Sequence, residues 1–222
     1  MPNPPITNYR FVLENTLRSV SASGKTPSLL LHACCAPCSS YVLEYLSSYF
    51  NITLFFYNPN IIPQHEYELR LSELQRLVSS MPLQNKVSFL HADYNQNDFL
   101  SIADGLENCP ERGLRCRKCI ALRLSKTADA AASLGSDFFT TTLTISPHKD
   151  SAFINSCGGQ LSQNVGIPYL FSDFKKNNGY KRSIQLSAFY NLYRQNFCGC
   201  PFSLQKSCNF DFIPLQGDSS YE

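Results

Sequence analysis

The sequence has no apolar run approaching the roughly 18 residues that a membrane-crossing helix needs. Its opening stretch, MPNPPITNYR, is polar and Pro-rich, without the apolar centre of a signal peptide. These absences predict a soluble, cytoplasmic protein that does not engage a membrane. Charge of one sign is also lacking: 19 Lys and Arg stand against 17 Asp and Glu, a formal net charge of +2. Such a balance does not by itself indicate a nucleic-acid binder, so any cationic surface has to be local. No G-x-G-x-x-G and no Walker loop occurs, which removes the usual glycine-rich phosphate cradles. There is no internal repeat and no linker long enough to separate domains. What remains is one chain of 222 residues, 43% hydrophobic, with enough apolar material for a substantial core.

Periodicity organises that chain. Apolar runs at 29–32, 52–57, 86–93 and 137–143 read as strands, with 167–174 as a short fifth. Helical spacing occurs at 8–20, from Ser39 or Ser40 to about Tyr49, at 64–81 with Leu69, Leu74, Leu77 and Val78 inward, and at 117–135 stopping on Gly135. Further helical segments are expected in 97–107, after Pro147, and over 179–197. Strands alternating with helices predict an α/β fold with a doubly wound, mostly parallel sheet. Its ligands should bind beyond the carboxyl ends of the strands. The expected divisions are an N-terminal helix and loop (1–27), a main domain (28–207) and a C-terminal tail (208–222).

Cysteine is abundant: ten residues, more than packing alone would use. In a reducing compartment this favours metal or redox chemistry over staples. Cys34, Cys35 and Cys38 follow the first strand directly. Cys116 and Cys119 form C-x-x-C at a helix start, where one turn places both thiols on one side and the helix N-terminus favours thiolates. The C-x-x-C fits half a zinc site, half a cluster site or a redox pair, and two pairs together make a Cys-four set suited to zinc or [4Fe–4S]. Cys35-Ala-Pro-Cys38 also fits a thiol–disulfide oxidoreductase motif. Cys198-Gly-Cys200 would close a very small, strained disulfide, comparatively easy to reduce, or else supply metal ligands. Cys109, Cys157 and Cys208 stand alone.

Five segments, LLLHACCAPCSS, YNPNIIPQHEYELR, RCRKCIALRL, FFTTTLTISPHKD and LYRQNFCGCPFS, occur in family order from 29 to about 203 and closely resemble the QueH-type epoxyqueuosine reductases. The resemblance implies a sheet similar to the adenine-nucleotide α-hydrolase (HUP-like) group. It implies cobalamin-independent, two-electron removal of the epoxide oxygen of epoxyqueuosine, giving queuosine at the wobble position of tRNAs with GUN anticodons. It implies a [4Fe–4S] cluster on Cys34, Cys35, Cys116 and Cys119, and a redox-active disulfide at Cys198 and Cys200. A mononuclear iron is implied for some members, with Cys38 as the candidate ligand and His32 a weaker one. The electron donor is unidentified.

Around that centre, Tyr57, Asn58 and Asn60 can reach a hydroxylated ring, although Asn-Pro-Asn also suits a plain turn. Glu66 and Arg70, at i and i+4, can pair with each other. Thr141, Thr142, Ser146, His148 and Lys149 crowd the end of the fourth strand, and Lys149 or His148 can supply a proton. Arg112, Arg115, Arg117 and Lys118, with Lys175, Lys176, Lys181 and Arg182 opposite, are candidates for tRNA phosphates. A zinc-bound structural or tRNA-binding module would use the same four cysteines with no redox role. It would leave Cys198-Gly-Cys200 unexplained.

Overall fold

Successive residues of a strand face opposite sides of a sheet. Here both sides are apolar, so helices must cover both. The computed structural model describes residues 7–204. β1 (Ser28–His32), β2 (Asn51–Phe55), β3 (Val87–Leu90) and β4 (Phe138–Thr141) form one sheet in the order β3-β2-β1-β4, with every pair parallel. Leu29 and Leu31 of β1 join Ile52 and Leu54 of β2 in one core, while Leu30 joins Phe55 and Phe139 in the other.

The first core is closed by α1 (Tyr9–Ala22), α2 (Ala36–Leu46) and α3 (Gln64–Ser80), through Leu13, Leu17, Leu43 and Leu74. After α4 (Gln96–Ala103), helices α5 (Leu114–Leu134) and α6 (Ser151–Val165) close the second core through Ile120, Leu124, Ala128 and Ile154. α7 (Gly179–Phe189) packs on α2, and a short α8 (Pro201–Leu204) ends the described chain. The fold is therefore doubly wound α/β, as expected. Among the described residues no helix is long and apolar enough to cross a membrane.

The chain moves outward from β1 to β2 and β3, then returns to the other side of β1 for β4. Direction reverses between β1 and β4, and that is where a parallel sheet opens a crevice at its carboxyl edge. His32 and Thr141 are paired across the reversal, so the segments after them face that crevice.

Several elements depart from the sequence expectation. The helix after β1 starts at Ala36 instead of at Ser39 or Ser40. Cys35 is its N-cap residue and Pro37 lies in its first turn, a position where the missing N–H costs nothing. Ser39 and Ser40 are buried inside it and donate to the carbonyls of Cys35 and Pro37. Leu69 faces outward at 41% exposure; the inner face of α3 carries Glu66 and Arg70 instead.

The fifth strand is reduced to one bridge, Phe139 with Tyr169. Beyond it, Asn155 takes both the N–H and the carbonyl of Ser172, groups a ladder would need. α7 ends at Phe189 rather than running to Phe197. Arg76 of α3 donates to the carbonyls of Tyr190 and Asn191, and Asn191 turns left-handed at φ +47°. α5 begins three residues before the expected start and stops, as expected, on left-handed Gly135.

Candidate active site

The end of β1 runs straight into the cysteines. Ala33 still hydrogen-bonds to Phe55, Cys34 donates its backbone N–H to the Thr142 hydroxyl, and Cys35 caps α2. The sulfurs of Cys34, Cys35 and Cys38 consequently lie within 4.8 Å of one another, a grouping able to hold a metal. Cys38 belongs to this group together with the adjacent pair. Cys35 and Cys38 hydrogen-bond to the Cys34 sulfur, and with Thr142 they hold its thiol well below the ordinary range. The same bonds push Cys35 up to about 12 and Cys38 well above its usual value.

Cys116 and Cys119 occupy the first turns of α5. Arg112 donates its backbone N–H to the Cys116 sulfur at 3.3 Å. Cys119 is buried, and burial raises its thiol. Cys198 and Cys200 reach the same space from the irregular segment after α7. The structure holds both as free thiols, hydrogen-bonded to each other. Cys200's hydrogen bond pulls Cys198 well below the usual thiol range with help from nearby Lys149, and Cys200 is correspondingly raised.

All seven of these cysteines line one cavity of about 410 Å³, a size that suits a small ligand or an extruded nucleotide. Seven cationic side chains line it against two carboxylates, Glu111 and Asp150. Arg112 and His148 meet at 3.3 Å on its wall, and the Arg117 guanidinium lies 5.0 Å above the Phe153 ring. Thiolate ligands and an anion-attracting wall fit an iron–sulfur or other thiolate-bound centre and a polyanionic substrate.

The expected site residues separate accordingly. Asn58, Asn60, Arg117 and Lys149 line the cavity. Tyr57 does not: it stacks on Phe55 and its hydroxyl donates to Asp98 at 2.6 Å. Lys118 is exposed and outside the lining. Arg115 is no surface contact but is 1% exposed, donating to the carbonyls of Leu106, Glu107 and Cys109 and so shaping the loop before the C-x-x-C. Lys175 pairs with Asp173 and Arg182 with Glu44.

His32 is wholly buried with both nitrogens engaged. Tyr57 O can only accept, so Nε2 carries the proton and Nδ1 accepts from Thr141. Burial, reinforced by Arg123, pushes its pKa down to about 4. It has no nitrogen left for a metal. Two residues that sequence reasoning passed over also reach the centre. Arg123, one turn after Cys119, donates to the Cys119 carbonyl and to Asn58, and Gln195 hydrogen-bonds Cys35. The i, i+4 spacing from Cys119 was the available signal for Arg123.

Comparison with known proteins bears on this geometry. The family model described as "Epoxyqueuosine reductase QueH" matches residues 29–206. A protein of that name from Streptococcus pyogenes serotype M1 is 44% identical over 220 residues, covering 98% of this chain and 86% of its own. One from Staphylococcus epidermidis is 40% identical over 96% and 90% of the two chains, and one from Thermotoga maritima 32% identical over 80% and 90%.

Proposed function

The chain belongs to the epoxyqueuosine reductase QueH family, and from that membership we propose how its cavity performs the reaction. The protein is an oxidoreductase that converts epoxyqueuosine to queuosine in tRNA. The supporting observation is the convergence of three cysteine groups, from three separate segments, on one cation-lined cavity at the carboxyl edge of the sheet.

Removing an epoxide oxygen to leave an alkene takes two electrons and two protons and releases water. A dithiol closing to a disulfide supplies both pairs, so epoxide and dithiol give alkene, disulfide and water. Cys198 and Cys200 are the dithiol in this reading. An external electron carrier must then return two electrons to reopen the disulfide. Cys34, Cys35, Cys116 and Cys119 would hold a [4Fe–4S] cluster that supplies low-potential electrons one at a time, with Cys38 the ligand for a mononuclear iron acting as a Lewis acid.

The chain's own residues do the rest. Lys149, close enough to Cys198 to lower its thiol, would protonate the departing oxygen. Arg112 and Arg117 at the cavity wall take the phosphates of the anticodon loop, presenting the wobble nucleotide to the cavity.

The test is anaerobic metal and sulfide analysis beside an epoxyqueuosine-tRNA turnover assay. Cys116→Ala should lose iron and activity together, whereas Cys200→Ala should keep its iron and lose turnover. Stoichiometric zinc without sulfide, persisting after iron–sulfur reconstitution, would remove the cluster. An active Cys200→Ala enzyme would remove the dithiol.

A further inference from the structure

The segment carrying Cys198 and Cys200 has no regular secondary structure, yet four successive carbonyls in it are taken. Arg70 Nη2 donates to Phe197 O at 3.4 Å, Asn60 Nδ2 to Cys198 O at 3.1 Å and the Ile62 N–H to Gly199 O at 3.0 Å. Ser203 N–H takes Cys200 O at 3.0 Å. Three of the four donors lie behind the segment, in the loop after β2 and on α3. Gly199 is left-handed at φ +96°, and a Cβ there would sit 2.7 Å from Ile61 Cγ1. The backbone between the two cysteines is over-determined, as it must be if a functional geometry depends on it.

The anchors are themselves fixed. Arg70 is 2% exposed and paired with Glu66, whose two carboxylate oxygens both accept from the Tyr193 hydroxyl. Asn60 is 2% exposed. Two residues earlier, Asn58 donates to Ala33 O at 2.9 Å, immediately before Cys34, and accepts from Arg123, which donates in turn to Cys119 O. One five-residue loop, 58–62, thus touches the backbone beside all three cysteine groups, directly or through Arg123.

We propose that Asn60, with Arg70 behind it, is a positioning residue that fixes Cys198 and Cys200 relative to the other cysteines, and that loop 58–62 sets the spacing of the whole constellation. Asn58 and Asn60 then act on the protein's own carbonyls and not on the substrate. This rests on the reading that Cys198 and Cys200 are a working redox pair.

Asn60→Leu keeps the branched shape and removes the donor. Its iron and sulfide should match wild type, and its melting temperature should fall by about a few degrees, the cost of one buried hydrogen bond. Turnover should fall about tenfold or more with the KM for tRNA within about twofold, since a buried hydrogen bond made to the catalytic segment is lost and no substrate contact is. The Cys198–Cys200 couple, read by thiol alkylation and mass spectrometry in poised thiol buffers, should shift at least about tenfold in equilibrium constant, ~30 mV. Asn60→Ser, too short to reach Cys198 O, should do the same if the leucine variant does not fold. An unchanged couple with unchanged turnover overturns the proposal. So does a rise confined to KM, which makes Asn60 a substrate contact. A wild-type protein without a reversible couple overturns it together with the redox pair beneath it, and that result appears before any substitution is made.

Discussion

Two parts of the cavity hold cysteines by opposite means. Cys34 and Cys35 grow out of β1, an inner strand with neighbours on both sides, and inherit their place from the packed cores beneath it. Cys198 and Cys200 sit on an irregular segment outside both main cores, against a small apolar cluster with Phe99 and Ala103, and polar contacts from α3 and the loop after β2 fix its backbone. Interiors packed like crystals resist displacement, so damage near the first group registers as lost stability. Hydrogen bonds on the second group can be removed singly, so damage there should register first as lost turnover.

The sharpest way to break this comparison is to cut the core under the strand. Leu31 is fully buried between α2 and the neighbouring strands. Leu31→Ala should cost about 2–5 kcal/mol through lost transfer energy and a cavity. Anaerobic urea melts check this, and retention of the iron proposed for this site should fall in proportion to the unfolded fraction. A loss under about 1 kcal/mol, with iron gone all the same, would mean that the core does not place Cys34 and Cys35.

The next effect belongs to the same strand and is driven by pH. His32 titrates near its ordinary 6.5 in the unfolded chain but is pushed down to about 4 in the folded one, chiefly by burial. Between those values the unfolded state binds more protons, so stability falls as pH drops through the window and is flat above it. The two limits correspond to about 3 kcal/mol. Melting temperatures from pH 7.5 to 4.5 should decline for wild type and decline less for His32→Gln. An equal slope in both would remove His32 as the source.

What the sequence made legible follows the same division. The β1–cysteine junction, the C-x-x-C helix and its stop at Gly135 are local signals, and each is present, the helix starting three residues earlier than the pattern placed it. Elements set by distant partners were not legible. The helical spacing of 179–197 gives no sign that Arg76, on another helix, takes the carbonyls that end α7. The apolar run at 167–174 does not reveal that Asn155 claims Ser172. Tyr57 looked like a ligand because its strand ends at the crevice, but Asp98, on α4, draws its hydroxyl away. Arg115 and Arg117 read alike as basic residues around Cys116; both line the cavity, but only the folded loop carbonyls bury Arg115 and leave Arg117 exposed to a ligand.

The smallest expected effect tests a residue outside both regions. Arg182 on α7 carries one of the cationic side chains assigned from sequence to tRNA phosphates. In the structure its guanidinium meets Glu44 of α2 through Nη2 to Oε1 at 2.6 Å and Nε to Oε2 at 2.9 Å. The pair is 47% and 36% exposed, so solvent screens it and its stabilisation is roughly 0.2–1 kcal/mol despite the bidentate geometry. A phosphate would have to displace the carboxylate and leave Glu44 facing a polyanion. Arg182→Ala should therefore lower stability by less than about 1 kcal/mol and leave the KM for tRNA within about twofold, whereas Arg117→Ala should raise it and flatten its salt dependence. Equal losses from the two substitutions would extend the tRNA footprint across α7 and make the Glu44 pairing a resting state that substrate opens.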